Sequence, residues 1–365
     1  MFFDIAAAKK FLCIVSNSLS TYEEIKRLDN VMSQFPANRD FGTIAGRNGV
    51  LGLEVRLGES DNRVDVSVPV TTRDARELPN DFSNSESIKY PTCCSIWERL
   101  VATLAWWGNA DDLLGNGRVS WLEFDIDDDI ISEATKFIIP KIFFQLGSEY
   151  RRPLLMQGSW QKIYITQLSK SLLPQEPQPS LMDSIANVGS TLPRPAFLKH
   201  IGINLNDSGA GVRLSIQGIT QKSLLPFLRK QDWKFNHDPN NLISLMVGKT
   251  SHLFTPTITN IDIDSCGNIK EGIGVEFPIG PVESLAEDSK EYMLLKSLIY
   301  FGLCTEKKFA ALLDVPMLPS ESSNQDKIQT ARKINHIKIQ FDKEGPVEAK
   351  AYIGQTIYRS GSCVF

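Results

Sequence analysis

The segment PVEAKAYIGQTIYR, residues 346–359, alternates: Val347, Ala349, Ala351 and Ile353 are apolar, with Glu348, Lys350 and Tyr352 between them. A period of two gives a strand with one oily face and one polar face. The same alternation recurs in pairs. The pairs are 49–58 with 62–70, 118–126 with 138–146, 199–205 with 211–219, 257–264 with 271–277, and 335–341 with 348–354. Short joints such as NDSGA, SCGN and DKEGP fit antiparallel hairpins. Between the hairpins lie helical patterns: 94–108, then 160–173 and 180–189, then 221–231 and 239–249, then 287–303 and 305–315. A further helix is expected at 20–35, with Ser20 and Glu23 as a capping box.

This order, helix–strand–strand–helix about five times over, restricts the fold to few solutions. Ten antiparallel strands in an open sheet leave two long edges, and closure removes them. The expectation is an α+β chain: a closed ten-stranded antiparallel barrel, helices outside, a solvent-filled ligand chamber inside. A parallel eight-stranded barrel needs a helix after every strand, which this pattern does not supply. No linker divides the 365 residues, so one domain is expected: N-terminal helices over 1–45, the repeat barrel over 46–355 and a tail over 356–365.

If helices wrap the outside, the oily strand faces turn outward. That set includes Leu53, Val55, Val66, Val68, Leu122, Phe124, Ile142, Phe144, Ile201, Ile203, Leu214, Ile216, Ile261, Ile263, Val275, Phe277, Ile337, Ile339, Ala349 and Ala351. The alternate positions then face inward. Among them are Glu54, Arg56, Asp65, Ser67, Trp121, Glu123, Asp125, Lys141, Phe143, His200, Arg213, Ser215, Gln217, Asn260, Asp262, Glu276, His336, Lys338, Lys350 and Tyr352. Such a list does not make an ordinary core, because an unpaired buried charge costs several kcal/mol. It suits a chamber wider than that of an eight-stranded barrel.

Arg56, Lys141, Arg213, Lys338 and Lys350 come from five strands, and together they point to a strongly anionic ligand such as a diphosphate. Glu54, Glu123 and Asp125 are the carboxylates able to take a proton from an aromatic acceptor. The run Asp125, Asp127, Asp128, Asp129 falls at a hairpin bend and reads as a solvated turn rather than a magnesium site. The four histidines have no metal-ligand spacing, and His200 and His336 are read as chamber hydrogen-bonding groups. No GxSxG, Walker A or GxGxxG loop occurs.

Bulk features narrow the class further. A net charge of −4 gives no support to nucleic-acid binding, and no apolar run is long enough to span a bilayer. The six cysteines form no CxxC and read as inert thiols of a reducing, cytoplasmic setting. The early Asp4 and the lysines within the first apolar stretch suit a helix better than a leader peptide. Cys363 lies third from the end, where a lipidation motif needs the fourth position.

The repeat and its chamber residues resemble the aromatic prenyltransferases of the ABBA, or prenyltransferase-barrel, fold. These include dimethylallyltryptophan synthases, bacterial indole enzymes and cyanobactin peptide enzymes. VLGLEVRL is similar to the family's first strand, which implies that Glu54 receives the acceptor's proton. WLEFDI with IPKIFF is similar to the second hairpin, whose return strand has K-x-Y; here it reads Lys141 and Phe143. IGINL with GVRLSI resembles the third hairpin; Arg213 is kept, while Ser215 and Gln217 stand for a lysine and a tyrosine. EAKAYIG keeps K-x-Y as Lys350 and Tyr352.

The resemblance implies a transferase that moves a dimethylallyl or geranyl group from its diphosphate to an aromatic, indole-type acceptor. In that reading Arg56, Lys141, Arg213, Lys338 and Lys350 bind diphosphate. Tyr352, Phe143, Trp121, His200, His336, Gln217 and Glu276 line the pocket and shield the allyl cation. No cofactor is required, with Mg2+ an optional assistant. Nucleic acid and membrane are not expected partners, and the chain is expected as a monomer or homodimer. The alternatives are a peptide prenyltransferase, a barrel-sharing cyclase, a non-catalytic binder of isoprenoid diphosphate, and a five-bladed ββαβ propeller with Cys/His chemistry through Cys363 and His200.

Overall fold

The computed structural model describes residues 19, 48–58, 63–77, 95–109, 119–125, 140–146, 166–168, 170–172, 177–205, 211–233, 236, 241, 243–244, 258–279, 285–287, 289–315 and 328–359. Among the described residues ten strands are present: β1 (Asn48–Arg56), β2 (Val64–Thr71), β3 (Val119–Phe124), β4 (Lys141–Gln145), β5 (Phe197–Asn204), β6 (Val212–Gln217), β7 (Ile258–Ile263), β8 (Ile269–Pro278), β9 (Ile328–Asp342) and β10 (Gly345–Arg359). Every neighbouring pair is antiparallel, each strand pairs with the next in sequence, and β10 closes on β1. The barrel is therefore continuous and has no edge strand. A propeller, which needs separate blades, is excluded. Because the strands simply alternate in direction, the five hairpin turns lie at one end and the connections through helices at the other.

Helices α1 (Ser95–Asn109), α2 (Pro179–Ser190), α3 (Gln221–Lys230), α4 (Lys290–Tyr300) and α5 (Glu306–Asp314) fill the intervals between hairpins. Residues 72–77 add a short helical turn after β2 that alternation alone does not announce. The capping box at Ser20 and Glu23 lies outside the described residues. So do Asp127, Asp128 and Asp129. Within 160–173 and 239–249, the described residues 166–168, 170–172, 241 and 243–244 are helical. The last hairpin is much longer than expected. β9 begins at Ile328, and β10 runs to Arg359, into the stretch expected as a tail.

The core lies between barrel and helices. All the oily strand residues expected to face outward, from Leu53 to Ala351, are buried. Burial of each large side chain contributes about 1.5–3 kcal/mol. Trp107 of α1 meets Phe144 of β4 edge to face at 5.9 Å. Lys308 of α5 donates through Nζ to the carbonyls of Arg56 (2.9 Å) and Gly58 (2.8 Å), which ties that helix to the end of β1. Ser184 of α2 holds the β7–β8 turn through the Gly267 carbonyl, 2.6 Å away.

Two bulges decide what enters the barrel. On β5 the register shifts between Leu198 and His200, leaving Lys199 as the extra residue. On β9, Tyr352 pairs with His336 but Ile353 pairs with Ile334, leaving Asn335 as the extra residue. One added residue reverses the facing of everything beyond it. Ile334 is therefore buried outward, and Lys333 is turned toward the interior side.

Candidate active site

Inside the barrel is a cavity of about 510 Å3. Its walls include Trp121 and Glu123 from β3, Phe143 from β4, Lys199 and His200 from β5, Arg213, Ser215 and Gln217 from β6, and Ile258 and Asn260 from β7. Glu276 and Pro278 from β8, Lys333, Asn335, His336 and Lys338 from β9, and Gly354 and Tyr352 from β10 complete it, with Gly52 and Ser67. Of the residues expected in the site, Arg213, Lys338, Tyr352, Phe143, Trp121, His200, His336, Gln217 and Glu276 line this cavity. Glu54, Arg56, Lys141 and Lys350 do not.

Those four belong to a layer of ion pairs toward the hairpin-turn end. Glu54 accepts from Lys350 Nζ at 2.5 Å through Oε1 and from the Tyr352 hydroxyl through Oε2. Burial favours the neutral acid of Glu54. The charges of Lys350 and Lys338 and the two hydrogen bonds overcome this and hold the carboxyl well below its ordinary range. Arg56 bridges Asp65 and Glu348, each at 3.1 Å. Lys141 pairs with Asp125 and lies 3.7 Å from Glu123. Arg213 binds Asp262 with two parallel bonds of 2.7 and 2.9 Å, while still facing the cavity. A second cavity of about 170 Å3 lies against Lys141, Phe143, Arg213, Asp262 and Lys270.

The cavity carries an excess of cations. Its walls hold Lys199, Arg213, Lys333 and Lys338 against Glu123 and Glu276, in a chain whose overall charge is −4. Lys338 is only 5% exposed and makes no hydrogen bond or close ion pair among the described residues. Burial first, then repulsion from Arg213, lowers its pKa despite Glu54. Its stem lies over Gly274, where a Cβ would come within 2.6 Å of Lys338 Cε. Opposite, on β3, Glu123 has its pKa raised by burial and by the charge of Glu54. Asp65 is pushed up to about 8 by the same two causes.

Aromatic groups form the rest of the wall. Trp121 and Phe143 are cross-strand neighbours. The Phe143 ring lies across Gly202, where a Cβ would sit 2.4 Å from its edge, so only glycine leaves the ring its place. His336 stacks on Tyr352 at 4.2 Å and 22°. Ser215 donates to Asn260 (2.7 Å), which donates to Glu276 (2.7 Å), which lies 3.5 Å from His336 Nε2. Burial lowers the pKa of His336.

Burial, aided by Lys199, lowers His200 to about 3. Between pH 6.5 and about 3 the unfolded chain binds a proton at this residue and the folded chain does not. Stability is thus lost as pH falls through that window. A His200→Gln variant is expected to gain on the wild type as pH drops from 7 to 4. Urea unfolding across pH checks this, and parallel curves would refute it.

Several wall residues were not expected: Lys199, Lys333, Asn335, Gly52 and Gly354. The first three depend on the two bulges, which strict alternation cannot show. The glycines carried a signal, since Gly52, Gly202, Gly274 and Gly354 all fall on inward positions, where a missing side chain leaves space. Among the described residues no group of three or more His, Cys, Asp or Glu could hold a metal ion. None of the described helices is long and apolar enough to cross a membrane.

No protein-family model matches the chain, and no curated protein matches it in sequence. Solved structures do match in shape. The apo form of the prenyltransferase PriB superposes with a TM-score of 0.56 at 11% identity, covering 97% of this chain and 96% of that one. The 6-dimethylallyltryptophan synthase of Micromonospora olivasterospora, solved with DMASPP and Trp, gives 0.52 at 11% identity, covering 94% and 95%. The 5-dimethylallyltryptophan synthase of Streptomyces coelicolor gives 0.50 at 11% identity, with the same coverage. Full-length agreement over ten closed strands establishes that this chain has the ABBA, or prenyltransferase-barrel, fold.

Proposed function

We propose that this chain is a transferase that moves a dimethylallyl or geranyl group from its diphosphate to an aromatic, indole-type acceptor. One observation carries the reading: a cavity inside the barrel in which cations and aromatic rings share the wall. Arg213 and Lys338, with Lys199 and Lys333, meet the diphosphate. These charges favour departure of diphosphate as an anion. Trp121, Phe143 and Tyr352 present π-faces to the allyl cation and keep water away. The acceptor ring then attacks the allylic carbon.

Glu54 fixes Tyr352 and Lys350 and places a negative charge behind that ring wall. Mg2+ is an optional auxiliary to the diphosphate, not a group for which the described residues form a cage. The fold shared with aromatic prenyltransferases supports the reading, and so does the resemblance of the Glu54 and Lys350–Tyr352 segments to that family's strands. Incubation with dimethylallyl or geranyl diphosphate and a panel of indoles tests it, with mass spectrometry for the gain of one prenyl unit. Tight binding of a thiolodiphosphate analogue without product from any indole or peptide acceptor would replace this reading with that of a binder.

A further inference from the structure

Two chamber groups make no hydrogen bond among the described residues: Lys338, and Glu123, whose one ion-pair partner there is Lys141 at 3.7 Å. Glu123 lines the cavity from β3, is 8% exposed, and makes no hydrogen bond among the described residues; its nearest cation, Lys141 Nζ, is 3.7 Å away. Such a carboxylate is costly to bury unless something supplies a donor. The other wall carboxylate, Glu276, already accepts from Asn260. Glu54 is outside the cavity wall, and both of its oxygens are engaged.

From this asymmetry we infer that Glu123, rather than Glu54, is the carboxylate that accepts the hydrogen bond of the acceptor's ring N–H and takes up the proton released on substitution. This deepens the proposed transfer and rests on it for the second half. The acceptor would lie with its N–H on Glu123 and a face toward Trp121, its neighbour two residues away on the same strand face. The diphosphate would lie across the chamber on Lys338 and Arg213. In the step, the C–O bond of the prenyl diphosphate breaks and its electron pair leaves on the diphosphate. A π pair of the acceptor forms the new C–C bond. The proton on the substituted ring carbon passes to a Glu123 oxygen as the ring regains aromaticity. A carboxyl whose pKa stands above the ordinary range is a better proton acceptor than one held far below it.

The test compares binding and turnover. By calorimetry, the wild type is expected to bind indole at least 10-fold more tightly than N-methylindole. Glu123→Gln is expected to abolish most of that preference, and Glu54→Gln to keep it. In the prenyl-transfer assay Glu123→Gln is expected to lose about 100-fold in kcat, the range of one general base, with thiolodiphosphate affinity within 3-fold of the wild type. The Glu123 seat is overturned if the wild type does not discriminate between the two indoles, or if Glu123→Gln, folded by circular dichroism, keeps the discrimination. Its role as proton acceptor is overturned if Glu123→Gln keeps full turnover while Glu54→Gln loses it. Should no acceptor be prenylated at all, the transfer reading and with it the proton-transfer half fall, and the calorimetric comparison still decides the seat.

Discussion

Lys350→Met is expected to destabilise the folded chain by about 3–5 kcal/mol, the usual cost of breaking a buried ion pair from one side. Lys350 is the cation at 2.5 Å from Glu54, whose side chain is 3% exposed. With the amine gone, Glu54 keeps only the Tyr352 hydroxyl and the more distant Lys338 charge. The carboxyl then rises from its depressed value, so the loss should depend on pH. In the wild type the lowered pKa contributes stability that is present above the unfolded value and lost as pH falls through the folded one. The gap between variant and wild type is therefore largest near neutrality and shrinks in acid, where protonation relieves the stranded charge. Glu54→Leu combined with Lys350→Met should recover most of the loss, because a packed apolar pair needs no desolvation of ions. Urea unfolding at several pH values measures all of this. A loss below about 1 kcal/mol in the single variant would show that water screens the pair.

Lys338→Met should do the opposite to stability and damage ligand binding instead. Among the described residues Lys338 has no ion pair within 4 Å, and burial and Arg213 push its pKa down against the pull of Glu54 and Glu276. An isosteric apolar chain relieves both penalties, so the unfolding free energy should stay level or rise. The same change removes a charge-assisted bond to the diphosphate, worth about 1.5–3 kcal/mol, or roughly 10- to 150-fold in affinity. Titration with a thiolodiphosphate analogue measures this. Unchanged affinity would remove Lys338 from the anion site. Loss of both stability and affinity would mean that a counter-charge holds Lys338 in the folded chain.

Much of the fold was legible because alternation is a local signal. Each of the ten strands overlaps an expected one, and the faces of β1 through β8 are as read, apart from the start of β5. The inward list therefore found most of the cavity wall, including Arg213, Lys338 and Tyr352. Legibility failed where one residue breaks the period. Lys199 and Asn335 are each an extra residue on a bulge, and nothing in their types announces this. The extent of β9 and β10 was missed for a related reason, since 328–334 lies beyond the Asn335 bulge and its phase is reversed. The ion pairing was a matter of geometry, not of type. Which cations face ligand and which face Asp65, Asp125 or Asp262 follows from depth along the strand, and a list of inward positions carries no depth.

On every strand, odd and even positions answer to different demands. One set meets the helical coat and must stay oily and well packed; the other meets only the hollow and its contents. An exchange at Ser215 or Gln217 leaves the seam under Leu214 and Ile216 untouched. Descent can thus rewrite the lining wholesale while the frame persists. That independence of the two alphabets lets one frame carry different linings, and it marks the lining as the place where a change of chemistry would be written first.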